Sequence, residues 1–281
     1  MPATYAHWNF GNRCIAAMPE NLQKIIHENR EIYDIGVHGP DIFFYDLAHS
    51  DVPRYGASLH DIPASVFFAE CKKQINEGNE KIEMLAYVLG YLSHFVLDSA
   101  LHSYVERKKE VSKITHNLIE SQWERHLMIL DNREPNLVDR TESLKPDKKK
   151  AEIIARFYNV KPKDVLRTTK HQKTIVKALN CISPTKEKIL KKILGKLKLN
   201  DYIDLFVGFS EEEKCKDSNL RLDKLADKAI IIYKKQLVNL LDYLNDKGKL
   251  NDYFDNDLAA RPDYKDIEIL PYESELAYKV K

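Results

Sequence analysis

The chain has 281 residues, 43% of them hydrophobic and 31% charged, with a formal net charge of +1. Such a chain holds one large or two small domains of an ordinary soluble type, and its near-neutral balance excludes a protein drawn as a whole to polyanions. The four cysteines, Cys14, Cys71, Cys181 and Cys215, form no CxxC pair, which disfavours a disulfide scaffold or a cysteine-rich zinc module and reads as free thiols.

From the N-terminus, no basic region runs into a continuous apolar stretch, and the best apolar run, Met84 to Val96, is broken by Gly90, Ser93 and His94. Neither a secretory signal nor a membrane-spanning helix is expected, and the cytoplasm is the default address. Apolar residues recur at three- and four-residue intervals, so the expected class is all-α. Helices are predicted over 12–29, 62–77, 80–106, 114–130, 147–158, 162–179, 185–199 and 219–247, with Pro19 and Gly78 as breaks or bounds. Residues 36–61 read as an irregular connection because they hold Gly36, Gly39, Pro40, Pro53 and Gly56. A loop of that length inside a compact domain is usually functional, and this one carries His38, Asp41, His49 and His60. A polar, turn-rich junction at 131–147 separates a metal-site half, 1–130, from a helical C-terminal half, 145–281, of one all-α domain. Nine of the ten histidines precede residue 127, which puts the chemistry in the first half.

Two helices carry that chemistry. His94, Asp98 and His102 lie four residues apart, as do His116 and Glu120, and a four-residue step keeps side chains on one helical face. Imidazole nitrogen and carboxylate oxygen are donors that Zn²⁺ takes from proteins. His94 and His102 are too far apart along one helix to share an ion easily, so the stripe favours more than one metal, with Asp98 placed to bridge. The alternative is a polar stripe satisfied by hydrogen bonds. Its setting among Val88, Leu89, Leu92, Phe95, Val96 and Leu97 makes that alternative costly unless every group finds a partner.

The strings TYAHWNFG, GPDIFFY, SLH around His60, HFVLDSALH and THNLIE, in this order, resemble the zinc-dependent phospholipase C family, whose helical fold is shared with the S1/P1-type nucleases. The resemblance covers about residues 2–130. It implies a zinc-dependent phospholipase C/P1-nuclease-like helical bundle with two or three zinc ions. One ion would be held by Asp41, His60, His94 and Asp98, a second by His102, His116 and Glu120. A third would be held by His7, Asp98 and the amino terminus. Secreted relatives begin with a Trp whose amine and carbonyl bind zinc; here Met1 removal would leave Pro2 in that role. Asp41 would also orient or deprotonate the attacking water, so that zinc-bound hydroxide cleaves a phosphodiester. Phe43, Phe44 and Tyr45 follow Asp41 and could line a substrate slot, although aromatics beside a buried loop more often serve the core.

Phospholipid is the first-choice substrate. Residues 1–144 carry 14 basic and 21 acidic side chains, which disfavours a polyanion, and no specific nucleic-acid signal is visible. A single-strand nuclease and a non-catalytic metal-binding scaffold are the alternatives. Residues 145–200 reverse the balance, with 17 basic and 4 acidic side chains. Within them, 185–199 forms a basic amphipathic helix suited either to peripheral membrane contact or to packing on the core with a solvated lysine face.

Overall fold

The computed structural model describes every residue except Met1, Pro2, Leu47, Ala48, Ser50, Cys181, Ile182 and Lys281, and Asp201 by its backbone alone. The described chain is all-α, with no strand among the described residues. Its helices are α1 (Thr4–Ala17), α2 (Glu20–Glu28), α3 (Arg30–Gly36), α4 (Asp51–Ser58), α5 (Ala64–Glu77), α6 (Lys81–Ser112), α7 (His116–Leu130), α8 (Lys148–Tyr158), α9 (Pro162–Leu179), α10 (Pro184–Lys196), α11 (Lys216–Leu244) and α12 (Tyr272–Ala277). Two 3₁₀ segments matter to the site, Gly39–Tyr45 and Asn200–Leu205.

The predicted helices after residue 60 stand with ends moved by a few residues, while the N-terminal region differs more. The single helix expected over 12–29 is two, α1 and α2, because Pro19 precedes Glu20 with extended backbone. Helix α1 also starts eight residues earlier than expected. No side chain at Ala3 caps it; instead the Glu124 carboxylate, from α7, accepts the backbone N–H groups of Tyr5 and Ala6. A carboxylate at a helix N-terminus satisfies orphan donors and matches the helix dipole. The connection expected to be irregular over 36–61 contains the 3₁₀ segment and α4.

Helix α6 is the axis of the molecule. Its apolar middle is buried on nearly every side, with Leu89, Leu92, Phe95 and Val96 at 0% exposure, each contributing about 2 kcal/mol relative to an exposed position. Among the described residues it is the one helix long and apolar enough to cross a membrane, and 83% of its most apolar window is buried inside the molecule. Helix α3 packs against it through Gly36 and Gly90. A Cβ on Gly36 would lie 2.4 Å from the Tyr87 carbonyl oxygen, and one on Gly90 would lie 2.4 Å from that of Tyr33.

One apolar core runs from Ala3 to Leu258 and includes Leu222, Tyr233 and Leu240 of α11. The segment after α11 then crosses back over the N-terminal half. The Ala64 N–H donates to the Asn256 carbonyl at 2.9 Å, and the Leu258 N–H donates to that of His60 at 3.2 Å. The Arg261 N–H donates to Ser103 Oγ at 3.0 Å. Cys14, Cys71 and Cys215 are free and buried; Cys181 lies outside the described residues.

Candidate metal centre

Helix α6 contributes His94, Asp98 and His102, and Asp98 occupies the middle of the cluster. Its Oδ1 lies 3.3 Å from His7 Nε2 and 3.9 Å from His102 Nε2, and its Oδ2 lies 3.3 Å from His94 Nε2. The 3₁₀ segment brings Asp41, whose Oδ1 is 2.8 Å from His60 Nε2. Helix α7 brings His116 and Glu120, 2.8 Å apart, with His102 Nε2 3.6 Å from the same Glu120 Oε1. Three trios each hold their donor atoms within 4.8 Å: His7, Asp41 and His94; His60, His94 and Asp98; His102, His116 and Glu120. All eight side chains singled out in the sequence therefore fall in one continuous cluster. His7 lies 3.3 Å from Asp98, as the family-based assignment pairs them, and also shares a trio with Asp41 and His94, which leaves His94 in two trios. Pro2 lies outside the described residues.

The imidazoles are held from behind. His60 Nδ1 donates to the Gly56 carbonyl at 2.8 Å, and His102 Nδ1 to that of Leu258. His116 Nδ1 lies 2.8 Å from Glu106 Oε1. A carbonyl only accepts, so Nδ1 carries the hydrogen and Nε2 faces the cluster, which is how metal-binding imidazoles are oriented. Sequence reasoning passed over these three supports. Glu106 follows His102 by four residues and extends the same stripe, so its signal was present. Backbone carbonyls at Gly56 and Leu258 leave none. Gly39 is a further support: its φ is +49° and a Cβ would lie 2.3 Å from the His94 ring. The GPD turn thus needs glycine both for its left-handed backbone and for the approach of an imidazole.

Burial and neighbouring charged or hydrogen-bonded groups together set the charge states. Burial lowers His94 to about 4 and His38 to about 3, so both stay neutral at pH 7. For Asp41 burial opposes ionisation, but the His60 hydrogen bond and the nearby His94 hold the carboxyl well below the usual range. Glu120 is likewise kept ionised against its burial by His116 and His102. Burial also works against charge on His102, yet Asp98 and Glu120 outweigh it and push the imidazole up to about 9. The His116 hydrogen bond draws Glu106 down to about 2.

This donor set fits divalent zinc. His7 Nδ1, both ring nitrogens of His94 and Glu120 Oε2 are buried with no hydrogen-bond partner among the described residues. Leaving such groups unpaired is expensive. The donors are nitrogen and oxygen without thiolate, and those of a tetrahedral zinc lie roughly 3.4 Å apart, close to the spacings around Asp98. A cavity of about 10 Å³ lined by His7, Asp98, His102 and Glu120 has room for a water-sized occupant. The larger hollows, of about 400 and 290 Å³, lie elsewhere, around Glu31 and Lys149 and around Trp8 and Arg133. Chemistry, not volume, marks the site.

The remaining candidates divide. His38 is fully buried with neither ring nitrogen hydrogen-bonded among the described residues. His49 is exposed and lies 3.3 Å from Asp46. His126 bonds Asp223 at 2.7 Å and ties α7 to α11. Phe43 is fully buried, edge-on to Tyr55 and Tyr158, and serves the core. Phe44 is half-buried with its ring 5.0 Å from that of His60, and Tyr45 lines a small cavity with Glu120.

Fold and site together define an all-α protein with a buried cluster of zinc-type donors spread over five segments of chain. The model of the family described as zinc dependent phospholipase C matches residues 6–176, and the chain belongs to that family of hydrolases. No curated protein and no solved structure matches it.

Proposed function

We propose that the protein is a zinc-dependent phosphodiester hydrolase of the phospholipase C type, releasing diacylglycerol and a phosphorylated head group. The observation that supports this most directly is the convergence of five imidazoles and three carboxylates on Asp98 and its neighbours. Asp41, His60, His94 and Asp98 would hold one zinc, and His102, His116 and Glu120 a second. His7 and Asp98 would hold a third, completed by the Pro2 amine once Met1 is removed. When bound, zinc neutralises the phosphodiester and lowers the pKa of attacking water toward ~7.

The chain's own groups then divide the work. Asp41 would give one carboxylate oxygen to the zinc it shares with His60, leaving the other to orient the water and accept its proton. The neutral imidazole of His94 adds no charge. Three carboxylates do not neutralise two or three divalent ions, so the loaded centre stays cationic and attracts an anionic diester. Phe44, half-buried beside His60, is placed to contact the substrate.

Metal analysis combined with turnover tests this reading. Two or three zinc ions per chain and hydrolysis of a phosphocholine diester support it. Cleavage of single-stranded DNA alone selects the nuclease; bound zinc with neither activity selects the scaffold; no bound zinc overturns all three. Asp98→Asn is expected to release two ions together, and loss of only one contradicts the bridging role.

A further inference from the structure

Helix α10 does not pack onto the core. Of its residues only Glu187 is buried, and Ile189 and Ile193, with Leu197 just past its end, are 54%, 46% and 63% exposed. Their four-residue spacing makes one apolar stripe. Lys188, Lys192 and Lys196 alternate with them, and none of the three forms an ion pair among the described residues. Behind the stripe, Leu190 and Leu194 lean on a small separate cluster with Leu179, Leu205 and Phe206. A groove of about 190 Å³ opens there, lined by Ile175, Leu179, Leu190, Leu194, Leu199 and Tyr202 among others.

This patch adjoins the metal centre. Leu179 and Leu205, which anchor the cluster behind α10, also line the small cavity that reaches Glu120 and Tyr45. Thr115 Oγ, at the start of α7, donates to Asp204 of the Asn200–Leu205 segment at 2.6 Å.

We propose that α10 and its groove form a docking surface for an anionic phospholipid bilayer, seating the metal centre beside the membrane. The proposal rests on the phospholipase reading and gives the physical form of the substrate: lipid within a charged surface. Exposed isoleucines and leucine would sit among the acyl chains near the headgroups, while the flanking lysine stems lay their ammonium groups at the phosphates. The surrounding segment, 145–200, carries 17 basic and 4 acidic residues, complementary to an anionic leaflet. A second copy of the chain is the poorer occupant, because a self-paired face would set lysines against lysines.

Vesicle sedimentation of the full-length, zinc-loaded protein tests this. One vesicle set is phosphatidylcholine alone and the other contains phosphatidylglycerol. Binding is expected to favour the anionic vesicles and to weaken with salt. It is expected to fall by at least about tenfold both in Lys188→Glu/Lys192→Glu/Lys196→Glu and in Ile189→Ser/Ile193→Ser. Helicity, zinc content and turnover of a soluble short-chain diester are expected to stay unchanged in both variants. Wild-type protein that ignores anionic vesicles, or variants that bind as well as wild type, overturns the proposal. So does light scattering that finds a dimer dissolved by Ile193→Ser. Vesicle binding is read without catalysis, so a wild-type protein inert on the soluble diester counts against the phospholipase reading and not against this surface.

Discussion

Asp98 meets three imidazoles because its two oxygens face different partners, His7 and His102 on one side and His94 on the other. Around it, His60, His102 and His116 each have a fixed outer bond, so their inward nitrogens are set before any cation arrives. His38 adds an uncharged neighbour with a testable signature. Its folded pKa is depressed to about 3 by burial, whereas in the unfolded chain it takes a proton below ~6.5. Its contribution to stability is therefore complete above pH ~6.5 and is lost as pH falls from there toward 3. The slope is at most about 1.4 kcal/mol per pH unit for one proton. Urea denaturation of the metal-free protein between pH 7 and pH 4.5 is expected to lose less stability in His38→Gln than in the wild type.

Elements are placed by contacts remote in sequence. Helix α1 can carry His7 into the centre because Glu124, itself paired with Arg140 at 2.8 Å, receives the first N–H groups of α1. The Gly39–Tyr45 segment can deliver Asp41 because Gly39 turns with positive φ under the His94 ring. Gly39→Ala is expected to act twice. The left-handed backbone costs roughly 1–2 kcal/mol for a residue with a Cβ, and the new carbon displaces His94. Thermal unfolding is expected to shift down, and zinc per chain, measured by elemental analysis, to drop. Full zinc content at unchanged thermal stability contradicts this account of the turn.

Across the whole molecule, the C-terminal half takes part in the site. Leu258 supplies the carbonyl behind His102, the Leu258 N–H is bonded to His60, and fully buried Phe254 stacks on Phe95 of α6 at 5.8 Å. A chain ending at Gly248 is expected to lose thermal stability and to bind its weakest zinc about 10–100-fold less tightly, the usual cost of removing an outer support. Competition with a zinc chelator measures this, and affinity equal to that of the full chain removes the C-terminal segment from the site.

What the sequence determined by itself was whatever is written in local periodicity. The apolar spacing gave helices, and the four-residue intervals of α6 and α7 placed His94, Asp98, His102, His116 and Glu120 on two faces before any fold was known. The family strings added His7, Asp41 and His60. Glu106 continued the α6 stripe and was legible there, although it was passed over. Tertiary structure alone decided the rest, because those contacts join residues with no periodic relation. These are the cap on α1 from a helix 119 residues away, the backbone carbonyls behind His60 and His102, and the assignment of Phe43 to the core. The exposure of α10 belongs with them, since its pattern fits a packed helix as well as an open one. A helical face is a property of a few consecutive residues, whereas which groups lie behind an imidazole depends on where distant segments come to rest.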